Sequence, residues 1–198
     1  LDLVIGDGIT YVGTKNFNDM RLISIDFGTT LEVIGERSFD YNRSGALTSV
    51  KFPDSLKSIG KEAFVNDGSI TEIVLNEGLE TVGANAFGWG ASLSSKGCEI
   101  HIPSTVTSIS ADSFGRASYY TVADGNEVYS AEEGILYTDN GQTLFDMPGL
   151  YDVDEFTVPD HVKTLGSQAI KQSVLIKKVV IPETVEKVVG DQFRGCAS

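Results

Sequence analysis

The chain has 198 residues, 41% of them hydrophobic and 22% charged, with a formal net charge of −13. That length suffices for one elongated domain with a continuous core. The acidity excludes a nucleic-acid partner, because phosphates must be neutralised by Lys and Arg, and the doubled Lys177-Lys178 does not offset it. No apolar run approaches the ~20 residues that a membrane helix requires.

A single frame recurs seven times: apolar-x-x-apolar-x-apolar-Pro/Gly-x-x-apolar-x-x-apolar-Gly-x-x-Ala-Phe. The first copy lacks its opening residue and runs from Leu3 through Ile5, Ile9, Val12 and Gly13 to Phe17. The second carries Leu22, Ile25, Phe27, Gly28, Leu31, Ile34, Gly35 and Phe39. The third, from Leu47 to Phe64, is the fullest, and the fourth runs from Ile70 to Phe87. The fifth has Ile100, Ile102, Pro103, Val106, Ile109 and Phe114, with Gly97 where a leucine is expected. The sixth runs from Val153 to Ala169 and ends in Ile170 in place of Phe; the seventh runs from Ile176 to Phe193.

Within each copy, two apolar positions alternate with polar ones, which predicts a short strand (Val50 and Phe52 in the third copy). Pro or Gly then ends the strand. A second apolar pair, Leu56 and Ile59, brings the chain back across the core, and Gly60 is expected to let the backbone turn. The Ala-Phe pair is expected to plug the interior from a short helical or 3₁₀ turn. No coil can bury its one apolar face alone, so neighbours must stack. Phe64 is predicted to be fully buried.

The frame LxxVxFPxxLxxIGxxAF, with Phe193-Arg194-Gly195-Cys196 at its end, resembles the BspA-type leucine-rich repeats of bacterial surface proteins. The chain departs from other leucine-rich repeats in lacking a regular asparagine ladder. The resemblance implies an α/β, β-rich, right-handed leucine-rich-repeat solenoid of seven coils. It also implies a cell-surface or extracellular location and a non-enzymatic role in binding an extracellular or host protein.

Between Phe114 and Ile170 the repeat spacing is interrupted. Asn140-Gly141, flanked by two β-prone runs, predicts a β-hairpin there. The expected organisation is one domain over 1–198: five coils over 1–118, a hairpin insertion over 119–150, and two coils over 151–198. The chain opens in mid-repeat and stops where another coil would begin, and so reads as a fragment of a longer one. Tyrosines combine apolar area with a hydrogen-bonding tip and are favoured at interfaces, which makes Tyr129 and Tyr137 candidate contacts. Trp89, in Gly88-Trp89-Gly90, is expected to pack within its loop.

Motifs that carry chemistry are not found. His101 and His161 belong to different coils and share no cysteine or acidic cluster at metal-ligand spacing. Cys98 and Cys196 lie too many coils apart for a disulfide. The P-loop, the dinucleotide fingerprint, the calcium loop and the Gly-x-Ser-x-Gly elbow are all lacking. No cofactor or metal is expected.

Function is therefore sought where the frame leaves residues free. The positions flanking the inward pair of each strand form two outward columns. One holds Asp2, Ser24, Ser49, Glu72, Glu99, Glu155 and Lys178; the other holds Val4, Asp26, Lys51, Val74, His101, Thr157 and Val180. Asp26, Lys51, Glu72, Glu99 and His101 are the candidate partner-binding residues of this partly acidic strip. The neighbouring Glu72 and Glu99 also leave open a carbohydrate-binding or carbohydrate-active site, which would require a cleft with paired carboxylates. A third alternative is an architectural spacer within a larger surface protein.

Overall fold

Strands of two or three residues dominate the chain, because each repeat offers only one alternating stretch before Pro or Gly interrupts it. The computed structural model describes residues 1–42, 46–88, 97–110, 112–115, 117–167, 169–171, 173, 175–193 and 196. In chain order the strands of the first half are β1 (Asp2–Val4), β2 (Tyr11–Val12), β3 (Ser24–Asp26), β4 (Val33–Ile34), β5 (Ser49–Lys51), β6 (Ser58–Ile59), β7 (Glu72–Val74), β8 (Thr81–Val82), β9 (Cys98–Ile102) and β10 (Ser108–Ile109). They are followed by β11 (Ala117–Val122), β12 (Ser130–Glu132), β13 (Ile135–Thr138), β14 (Thr143–Asp146), β15 (Glu155–Thr157), β16 (Thr164–Leu165), β17 (Lys178–Val180) and β18 (Lys187–Val188).

The chain is a strand-rich solenoid of about seven turns. Its front face pairs β1 with β3, β5 with β7, β9 with β11 and β15 with β17, all parallel and in register with the repeat frame. Its second face is a parallel ladder in the order β10-β8-β6-β4-β2, followed by a second sheet in the order β12-β13-β14-β16-β18. In that second sheet β12, β13 and β14 run antiparallel to one another, and β14 then joins β16 in parallel. The turn between β13 and β14 carries positive φ at Asp139, Asn140 and Gly141, as an Asn-Gly turn requires. β11 crosses the expected boundary at 118/119 and adds a rung to the front face, with Tyr120 and Val122 facing inward.

No helix occurs among the described residues, so the α component of the expected α/β class and the helical or 3₁₀ plug are corrected. The reason lies in the backbone. Two residues before each ladder phenylalanine, Lys15, Arg37, Glu62, Asn85 and Asp112 adopt φ of 53 to 60°, a left-handed conformation that breaks a helical run. The amides then bond between coils rather than within one: Phe17 N donates to Ser38 O, Phe39 N to Ala63 O, Phe64 N to Ala86 O and Phe87 N to Ser113 O, each at 2.7–2.8 Å.

The core follows the frame. In the third repeat Leu47, Val50, Phe52, Leu56, Ile59, Ala63 and Phe64 are each at most 3% exposed. The phenylalanines stack face to face, with ring centroids 5.4 Å apart for Phe17–Phe39, 5.0 Å for Phe39–Phe64, 5.2 Å for Phe64–Phe87 and 5.7 Å for Phe87–Phe114. Where Ser replaces the Ala before Phe, its hydroxyl stays satisfied: Ser38 Oγ donates to Gly35 O and Gly13 O, and Ser113 Oγ to Ser110 O and Gly83 O. In the first and last coils the frame residues Ile9, Ile181, Val188 and Phe193 are exposed. The frame glycine has a different role from the expected one. Gly35, Gly60 and Gly83 lie outside the positive-φ region, but a Cβ on any of them would stand 2.5–2.8 Å from the backbone of the preceding coil. Glycine is required there by the close approach of stacked backbones.

Candidate functional site

The front face carries the two columns. Parallel register aligns Asp2 with Ser24, Ser49 with Glu72, and Glu155 with Lys178 in one column, and Val4 with Asp26, Lys51 with Val74, and Thr157 with Val180 in the other. All five strip candidates, Asp26, Lys51, Glu72, Glu99 and His101, are exposed. They share a face because each flanks an inward residue (Ile25, Val50, Ile73 or Ile100) of a pleated strand. β11 extends both columns, placing Tyr119 beside Glu99 and Thr121 beside His101.

Several neighbours in the columns bond one another. Ser24 Oγ donates to Asp2 Oδ1 at 2.7 Å, His101 Nδ1 lies 2.9 Å from Thr121 Oγ1, and Lys178 pairs with Glu155 at 2.7 Å. Asp26 accepts from the backbone N–H of Gly28 at 2.9 Å, which folds the end of its strand. The result is a ribbon of mixed charge and hydrogen-bonding groups on short strands paired in parallel. A ribbon of that kind can make many polar contacts to an extended or convex surface.

Tyr129 and Tyr137 do not belong to it. Tyr129 is 6% exposed; its hydroxyl accepts from Ile109 N at 2.7 Å, and its ring packs edge-on against Phe145. Tyr137 is 2% exposed because β13 is the middle strand of the antiparallel meander, with Ile135, Leu136 and Tyr137 all buried. Burial pushes both phenols above their ordinary value. They are core residues, and their assignment as contacts is withdrawn. Tyr119, by contrast, is 42% exposed and stands on the front face beside Glu99. The signal for it was the alternation of Tyr119 and Thr121 outward with Tyr120 and Val122 inward.

Other expected features resolve simply. His161 sits in its turn, with Nε2 3.5 Å from Glu132 Oε2 and its ring 5.7 Å from that of Tyr137. Asp154 and Glu155 pair with Lys177 and Lys178. Cys98 Sγ lies 3.6 Å from Ile70 O, and Cys196 Sγ 3.2 Å from Ile170 O. Among the described residues, no group of three His, Cys, Asp or Glu converges on a point, and no helix is long and apolar enough to cross a membrane. Trp89 lies outside the described residues. A cavity of about 300 Å³ is bounded by Ile170, Ile176, Val179 and Phe193, among others, and a void of about 10 Å³ lies between Phe64, Asp67 and Phe87. Glu72 and Glu99 line neither.

A family model for the BspA type leucine rich repeat region matches six copies over residues 2–121 and 98–198. Among solved structures, the fold is similar to the pneumococcal vaccine antigen PcpA (TM-score 0.82, 24% identity, covering 94% of this chain and 46% of that one). It is also similar to a leucine rich cell surface protein from Faecalibacterium prausnitzii (TM-score 0.69, 20% identity, 94% and 56%). A third similar structure is a leucine-rich repeat protein from Eubacterium ventriosum (TM-score 0.64, 21% identity, 95% and 52%). The chain thus spans about half the length of these proteins. No curated protein matches it.

Proposed function

Because the chain belongs to the BspA type leucine rich repeat family, we propose that it is a non-enzymatic, protein-binding module of a bacterial surface or secreted protein, serving adhesion or host-protein recognition. The observation that supports this reading is the front strip: Asp26, Lys51, Glu72, Glu99 and His101 are all exposed, each flanking an inward residue of its strand. Membership of the family supports the binding role, and the Faecalibacterium protein is itself described as a cell surface protein. The partner is an extracellular protein whose contact surface complements a partly acidic, mixed-charge ribbon. The same proposal takes the coils as right-handed, the hand that parallel crossovers favour, with the meander inserted between the fifth and sixth.

The test is capture from a panel of host extracellular proteins and glycans by wild type and by a Glu72→Lys/Glu99→Lys double variant. A protein retained by wild type and lost by the variant is the expected result. Equal retention by both, or retention of glycans alone, contradicts it.

A further inference from the structure

The tip of the meander's first hairpin seats against the front face at Tyr119. Glu133 and Gly134, with φ of 49° and 82°, form the tight turn between β12 and β13. Alternate amides of a strand point to opposite edges. Just past β11, Ala123 N donates to Ile102 O on the β9 side at 2.9 Å, while Tyr120 N donates to Gly134 O on the far edge at 3.0 Å. The Tyr119 ring lies over Gly134: a Cβ there would stand 2.3, 2.5 and 2.9 Å from Cδ2, Cε2 and Cγ of the ring, as it would beneath a ring face. One face is thus backed by the glycine, yet Tyr119 remains 42% exposed. Glu99 stands across from Tyr119 on β9, and Glu133 precedes Gly134 in the turn on the other edge; both are exposed.

We propose that Tyr119, flanked by Glu99 and Glu133, is the anchor site for an arginine side chain of the partner protein. The inference rests on the protein-binding role proposed for the front strip and names the partner's chemistry. A ring already packed on a backbone has little freedom left to lose on binding, which lowers the cost of using it as a platform. Its open face attracts a cation through the ring quadrupole. A guanidinium suits the place better than an ammonium, because it is planar, stacks on an aromatic face and offers N–H groups edgewise to a carboxylate at the same time. The basic residues of the two columns lie elsewhere: Lys51 is on β5, and Lys178 on β17 pairs with Glu155 at 2.7 Å. The net charge of −13 draws a basic partner towards the chain at longer range. A neutral sugar stacks on such a ring too, but negative charge on both sides favours a cation.

NMR titration of the isotope-labelled full chain tests the anchor without the partner. The probes are two end-blocked glycine pentapeptides, one with arginine and one with lysine at the centre. The arginine peptide is expected to bind saturably, to shift the amides of β11 and of the Glu133-Gly134 turn, and to bind more tightly than the lysine peptide. Tyr119→Leu, which keeps cover over Gly134, should weaken arginine binding at least ~3-fold and abolish the preference over lysine. Tyr119→Phe keeps the ring and should bind like wild type. Glu99→Gln and Glu133→Gln should each weaken binding ~2-fold. The amide spectrum of each variant reports whether it is folded.

Equal binding of the two peptides, undiminished in Tyr119→Leu, would mark general attraction to an acidic chain and overturns the anchor. So do shifts over β11 produced by maltotriose or chitotriose and not by the arginine peptide. A captured partner that Tyr119→Leu holds as tightly as wild type also overturns the anchor, while leaving the binding role intact. Arginine preference with no protein captured contradicts the role and supports the anchor.

Discussion

Phe64→Ala is the sharpest test of the stacked core. Phe64 is 1% exposed and lies in the middle of the phenylalanine ladder, stacked on Phe39 at 5.0 Å and Phe87 at 5.2 Å, with the edges of Phe27 and Phe52 also against it. Truncating a buried phenylalanine costs about 3–5 kcal/mol in transfer and cavity terms. Two stacked partners, each worth about 0.5–1.5 kcal/mol beyond area, place this site toward the upper end. The coils above and below are fixed by their own ladders, so little collapse relieves the cavity. Phe193, at the same frame position but 49% exposed in this chain, should lose under about 1 kcal/mol on the same change. Urea unfolding followed by circular dichroism reads both, with the slope checked for constancy. If the two variants fall within about 1 kcal/mol of each other, the ladder is not what holds the stack together.

Three further outcomes are expected. Gly60→Ala should destabilise by about 1–3 kcal/mol, the usual cost of overpacking, because its Cβ would stand 2.7 Å from the carbonyl carbon of Gly35; Gly6→Ala, with open space around it, should be much milder. Burial pushes the Asp67 carboxyl from its ordinary 3.8 up to about 7, against a hydrogen bond from Asn42. The folded chain therefore holds a proton that the unfolded chain releases, and stability should fall as pH rises from about 4 through about 7. Asp67→Asn, an isostere of the protonated form, should gain on wild type by a few kcal/mol over that window, measured by urea unfolding at each pH; a pH-independent difference would refute this. Lys51→Ala, exposed on the front face, should change stability by under ~0.5 kcal/mol.

What could be read from the residues was whatever period and parity determine. Val50, Phe52, Leu56, Ile59 and Phe64 fall where the frame puts them because an apolar letter recurring in seven coils has one place to go. The outward columns followed from strand pleating alone. What residue types could not show was backbone conformation: Lys15, Arg37, Glu62, Asn85 and Asp112 share no chemistry, yet all take a left-handed φ imposed by hydrogen bonding between coils. Gly60 was legible as necessary, but its reason, backbone packed on backbone, exists only once the coils stack. Tyr129 and Tyr137 misled because tyrosine suits interface and core alike. Their burial is decided by the meander, where β13 is covered on both faces.

The proposed function places the protein contact on the front strip. Hydrogen-exchange footprinting of the chain with and without its captured partner tests this most directly. Slowed exchange is expected over residues 49–51, 72–74 and 98–102, with the turns around Lys15, Arg37 and Glu62 unchanged. Protection confined to those turns, or to the second face, would contradict it.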